Sequence, residues 1–97
     1  MASLIKIAQA GTLESSDIMI TVAPGAQGSG IVIDLQSIVM AQYGDDIRRT
    51  LEKTVAEQGC TDIYVKALDR GALDCTIRAR TLTALRRAGT VIKEEIL

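Results

Sequence analysis

The chain of 97 residues has no histidine, phenylalanine or tryptophan, and only two tyrosines, one proline and two cysteines. Each shortage removes a class of function. Without histidine there is no Ser-His-Asp or Cys-His nucleophile and no histidine-ligated metal. Two cysteines fall short of the four ligands of a structural zinc site. Aromatics on which bases stack are nearly absent, and a formal net charge of −1 offers no basic footprint, so neither DNA nor RNA is expected as a partner. No apolar run approaches the roughly 18 residues needed to span a bilayer. The apolar patch at 4–8 is broken by Lys6 and is too short for a secretory signal. A cytoplasmic location is expected, with Cys60 and Cys75 as buried thiols rather than a disulfide.

What remains is aliphatic. Hydrophobic residues make up 47% of the chain, almost all Ile, Leu, Val and Ala. A single domain over 1–97 is expected, with 93–97 a loose tail; such a domain buries roughly 65% of its unfolded surface. Residues 17–23 alternate, Ile18, Ile20 and Val22 against Met19, Thr21 and Ala23, as a half-buried strand does. Pro24 ends it. The glycine-rich 25–30 segment has no Gly-Lys-Ser/Thr and opens no helix, so it reads as a hairpin connection, not a phosphate cradle. A second strand spans 30–36 and a third 62–68, with Ile63, Val65 and Ala67 inward. A short edge strand is expected at 4–8.

Ser37 is expected to cap a helix over 38–58 that stops at Gly59. Its apolar stripe is Met40, Tyr43, Ile47, Leu51 and Val55, and its solvated side pairs Asp45/Arg49, Arg48/Glu52 and Lys53/Glu57. Residues 72–88 fit a second helix with Leu73, Ile77, Ala84, Leu85 and Ala88 on one face; a strand over 73–79 followed by a shorter helix is the alternative. On a helix, Arg80 and Arg87 share a side while Arg78 points elsewhere, either as solvated charge or to meet phosphates or partner subunits. The order ββαβα, with an optional leading strand, gives an α+β two-layer sandwich. Gly71, after the third strand, is expected at a turn needing positive φ.

Between two apolar segments lies Gly11-Thr12-Leu13-Glu14-Ser15-Ser16-Asp17, whose composition is that of an exposed turn. Glu14 and Asp17 flank the serines, but an open loop gives their pKa values no reason to shift, so they read as solvated carboxylates rather than an acid/base pair. Nothing in the sequence pairs the serines with Lys6 or Lys66. A hydroxyl without a base beside it suits being modified better than attacking a substrate. It also suits an inert connector.

This run resembles the attachment segment of the citrate lyase acyl carrier proteins, the γ subunits of bacterial citrate lyase. A second stretch, Asp69-Arg70-Gly71-Ala72-Leu73-Asp74-Cys75 continuing through Ile77-Arg78-Ala79-Arg80, is similar to the family's other recurrent segment, although Arg70 stands where lysine is more usual. The resemblance implies that Ser15, and not Ser16, bears a phosphoribosyl-dephospho-CoA group through a phosphodiester, whose thiol holds acetyl and citryl thioesters while citrate is cleaved to oxaloacetate and acetate. It implies a non-catalytic subunit of a hetero-oligomeric complex, working with an α subunit (transferase), a β subunit (citryl lyase) and a prosthetic-group transferase. A carrier for a related decarboxylase, or an interaction subunit with no covalent group, are the alternatives. The α+β expectation differs from the four-helix bundle of the common acyl carrier proteins, whose Asp-Ser-Leu motif is missing.

Overall fold

The computed structural model describes residues 6–89. The sheet contains β1 (Ala8–Gly11), β2 (Ile18–Pro24), β3 (Ile31–Ser37) and β4 (Ile63–Asp69), and the helices are α1 (Met40–Glu57) and α2 (Asp74–Arg87). The architecture is α+β, and the segment expected at 72–88 is helical over Asp74–Arg87, with no strand at 73–79. The leading strand is real but displaced: it lies at Ala8–Gly11, not 4–8. Lys6 and Ile7 lie outside it, and residues 1–5, like the tail expected at 93–97, fall outside the described residues.

Strand order is β1-β2-β4-β3, with β3 parallel to β4 and the other pairs antiparallel. The 25–30 segment is therefore not a hairpin, because β4 separates the strands it joins. It straddles the start of β4: the Gly25 amide donates to the Asp62 carbonyl, the Gly30 amide to Asp62 Oδ1, and the Ile63 amide to the Gly30 carbonyl. Adjacent parallel strands need a long crossover, and α1 supplies it.

Both helices cover one face, α1 over β3 and α2 over β1 and β2, and they pack against each other. The alternating residues behave as their period demands. Ile18, Ile20, Val22, Ile63, Val65 and Ala67 are fully buried beneath Ile47, Leu51, Val55, Ile77, Ala84 and Leu85. Register aligns them in rows: Ala10, Ile20, Ala67 and Leu35 in one, Ala8, Val22, Val65 and Ile33 in the next. Each edge strand has a carbonyl covered by an arginine from the helix above it. Arg87 donates to Gln9 on β1 (2.8 Å) and Arg48 to Ile33 on β3 (3.0 Å), which blunts edges otherwise open to pairing.

Several local expectations are corrected. Ser37 is the last residue of β3 and does not cap α1, whose N-cap is Val39. Its hydroxyl donates to Asp69 and accepts from the Val39 amide. Met40 and Tyr43 are exposed, so the buried side of α1 begins at Gly44 and Ile47 and gains Thr54. Leu73 is likewise exposed, and Thr81 takes its place in the core. Both buried threonines donate back to the carbonyl four residues earlier, so neither hydroxyl is left unsatisfied. The charges on α1 pair differently from their four-residue spacing: Arg49 with Asp46, Arg48 with β3, and Glu57 with Arg78 of α2. Glu57 is thereby held below the usual carboxylate range, chiefly by the Arg78 hydrogen bond. Cys60 is buried as expected, but Cys75 is exposed. A thiol-reactive chromophore should therefore titrate one cysteine rapidly in the native protein and the second only on unfolding; two equally fast thiols would contradict this burial.

Two glycines carry backbone requirements of different kinds. Gly71 has φ +89°, and a Cβ there would meet nothing within 4 Å. Gly11 has φ +97°, and its Cβ would stand 1.8 Å from the Ile18 carbonyl oxygen. Gly71→Ala should cost about 1–2 kcal/mol, the strain of the left-handed region alone. Gly11→Ala should cost clearly more, because it also pries β1 from β2. Urea melts of the two variants check this, and equal losses would contradict it.

Candidate functional site

The residues between Gly11 and Asp17 form a tight, bonded turn. The Asp17 amide donates to the Glu14 carbonyl (3.2 Å), which makes Ser15 and Ser16 the two central positions. Ser16 has φ +65° and Ser15 does not share the positive sign, the pattern of a type II turn. A serine at that position is uncommon, and the conformation costs about 1–2 kcal/mol. The surroundings impose it: the Ser16 amide donates to the Arg70 carbonyl (2.8 Å), and the Arg70 amide returns a bond to the Asp17 carbonyl (2.9 Å). Ser15 thus occupies the corner. It is exposed, and among the described residues its hydroxyl makes no hydrogen bond.

Asp17 is not the solvated carboxylate that an open loop implies. It is buried and accepts four bonds. Arg80 of α2 grips it with both Nε and a terminal nitrogen (3.1 Å each), the Thr12 hydroxyl donates at 2.7 Å, and the Ile18 amide donates at 2.7 Å. These bonds, Arg80 first, then Thr12 and Ile18, outweigh the burial that disfavours charge and hold the carboxyl at about 2. The Thr12 hydroxyl also accepts from the Glu14 amide (3.2 Å). The loop is therefore welded to the fold at its base and free at its tip.

Opposite it, the turn after β4 is organised by a second buried carboxylate. Asp69 accepts from the Ser37 hydroxyl (2.7 Å) and from the amides of Gly71 and Ala72 (3.0 Å each), a local side-chain bond pattern that fixes such turns. Arg70, between the two turns, donates its Nε to the Leu13 carbonyl (3.1 Å). The two segments that stand 57 residues apart at that bond are one structural unit.

The sequence singled out Ser15, and the structure puts it on the surface. It did not single out Asp17, Arg70 or Arg80 as partners of the loop. The only signal was that the second family-like segment contains both arginines and that helical spacing sets Arg80 and Arg87 on one side. Arg80 turns to Asp17 at the base of β2 and Arg87 to Gln9 on β1, while Arg78 turns to α1. No group of three or more metal-ligating side chains gathers among the described residues, and none of their helices is long and apolar enough to cross a membrane.

The candidate site is thus an exposed serine on a turn braced from two sides. Comparisons with known proteins give its class. Residues 5–88 match the family described as malonate decarboxylase delta subunit (MdcD), a group of acyl carrier proteins. The citrate lyase acyl carrier protein of Streptococcus uberis is 52% identical over 88% of this chain and 82% of its own length. That of Lacticaseibacillus casei is 54% identical over 84% and 78%, and that of Halothermothrix orenii 47% identical over 92% and 93%. The chain belongs to the family of citrate lyase acyl carrier proteins, whose members are non-catalytic. The fold is shared with a chain of a Pseudomonas malonate decarboxylase hetero-tetramer solved in complex with malonate, with a TM-score of 0.76 and 20% identity over 90% of this chain and 88% of that one.

The low folded-state pKa of Asp17 makes stability depend on pH. The unfolded carboxyl titrates near 3.8 and the folded one near 2, so between those values the unfolded chain binds more protons. The stabilisation is complete above about pH 4 and disappears as pH falls through 2. Arg80 is 42% exposed, and solvent screening reduces the contribution to about 1–2 kcal/mol. Urea melts from pH 7 to pH 2 should show that loss in the wild-type chain and a flatter profile in Asp17→Asn. Parallel profiles would show that the ion pair does not brace the loop.

Proposed function

We propose that this chain is the acyl carrier subunit of a citrate lyase complex, with Ser15 as the attachment point of a phosphoribosyl-dephospho-CoA group. The observation that carries the reading is the free hydroxyl at the corner of a braced turn. The residues fit such a group: among the described residues none bonds the Ser15 hydroxyl, and a recess of about 330 Å3 walled by Leu13, Gln36, Ser37, Ile38, Leu68, Asp69 and Arg70 shares Leu13 with the same loop. When bound, the group supplies a terminal thiol on which acyl thioesters are held.

The chain's own work is mechanical. Among the described residues no side chain is hydrogen-bonded to the Ser15 hydroxyl, so in this reading deprotonation for attachment falls to a separate transferase. Asp17, Arg80 and the Arg70 backbone fix the anchor, so that freedom lies in the arm and not in the protein. Tethering then raises the concentration of the acyl group at partner sites into the ~mM range expected of a short flexible linker. The partners in this reading are an α subunit that transfers the acyl group and a β subunit that cleaves the citryl form. A decarboxylase carrier is the second reading, favoured by the description of the matching family. The relatives near 50% identity support citrate lyase instead.

Intact-mass measurement after co-expression with the transferase tests the assignment. The wild-type chain and Ser16→Gly should gain the mass of the group, glycine being suited to the positive φ of position 16. Ser15→Ala should gain nothing. A mass gain on Ser15→Ala would move the attachment elsewhere.

A further inference from the structure

Arg70 is anchored through its main chain and its Nε, yet among the described residues its charge has no partner. Its amide and carbonyl bond the serine turn, and its Nε is committed to the Leu13 carbonyl at 3.1 Å. The two terminal nitrogens make no bond among the described residues. The nearby carboxylates are already used: Asp17 by Arg80, Thr12 and Ile18, and Asp69 by Ser37, Gly71 and Ala72. Glu14, on the same turn, forms no ion pair with it. A fixed guanidinium presenting two free N–H-bearing nitrogens is the geometry that matches a pair of phosphate oxygens. Its Nε bond sets that fork on the turn whose corner is Ser15, at the wall of the recess lined by Leu13 and Ile38.

Resting on the carrier reading above, we propose that Arg70 is the binding residue for the phosphodiester that joins the arm to Ser15. The phosphorus lies one bond beyond Oγ, and its two non-bridging oxygens accept from the terminal nitrogens of Arg70. No covalent change is involved. Two consequences follow from the geometry. The diester charge is balanced by the Arg70 guanidinium, and the root of the arm leaves the turn on the Leu13–Ile38 side, not the α2 side.

The test uses loaded protein. Intact mass first establishes that the wild-type chain, Arg70→Gln and Arg70→Lys carry the group. The 31P resonance of the diester and the Arg70 Nε–H signal are then recorded before and after loading. Loading should shift the Arg70 side-chain signal in the wild-type chain. The 31P resonance should sit away from that of a free diester in wild type, return to it in Arg70→Gln and lie between in Arg70→Lys, which keeps the charge and loses the fork. The wild-type side-chain measurement needs no variant, so a poorly folded Arg70→Gln does not blunt the test. Loaded protein in which the Arg70 signal stays put and the three 31P resonances coincide would overturn the inference alone. A wild-type chain that gains no mass would overturn the carrier reading, and the inference with it.

Discussion

The bidentate bond between Arg80 and Asp17 is the contact on which the rest of the site depends. It joins the last helix to the base of the serine loop across 63 residues of sequence. Without it Asp17 would be a buried carboxylate held by Thr12 and the Ile18 amide alone, and removing one partner of a buried pair is costly because the other charge is stranded. With it, the chain direction is set on both sides of the turn. Asp17 leads into Ile18 at the head of a central strand, and its carbonyl accepts from the Arg70 amide after the neighbouring strand while the Ser16 amide donates to the Arg70 carbonyl. The turn can then hold Ser16 in a conformation that serine avoids, leaving Ser15 projecting.

The sheet explains why the two turns meet. β2 and β4 are antiparallel neighbours, with Ile18 opposite Asp69 in the final pair of the ladder. The residue before β2 and the last residue of β4 therefore lie together at one end of the sheet. Both are carboxylates, Asp17 and Asp69, and each closes the turn beside it with its own hydrogen bonds. This end of the sheet is polar where the middle rows are aliphatic. In the proposed reading that division suits a carrier, because a tethered arm needs an anchor that does not wander.

Much of the fold was legible in the sequence for simple reasons. Period-two alternation at 18–23 and 63–67 fixed the inward faces, and Gly59 and Gly89 mark helix ends at φ +78° and +100°. What escaped is what period cannot encode. Strand order decides that 25–30 is a crossover and not a hairpin, and composition is the same for both. Long side chains choose partners across the fold, so Arg78 took Glu57 and Arg48 took a β3 carbonyl, whatever their spacing within a helix. Asp17 was misread for the same reason: a loop carboxylate looks solvated until α2 is placed over it. Ser15 was visible only through resemblance, since the lack of a bonding partner for its hydroxyl among the described residues has no signature in sequence.

The central claim is that the serine turn is rigid in the chain itself, before anything is attached. Backbone 15N relaxation on unmodified protein measures this directly. The account predicts order parameters for residues 12–17 close to the roughly 0.85 of rigid backbone, like those of β2 and β4. Values below about 0.6 in that segment, with the strands remaining rigid, would mean that the Asp17 and Arg70 contacts do not hold the turn.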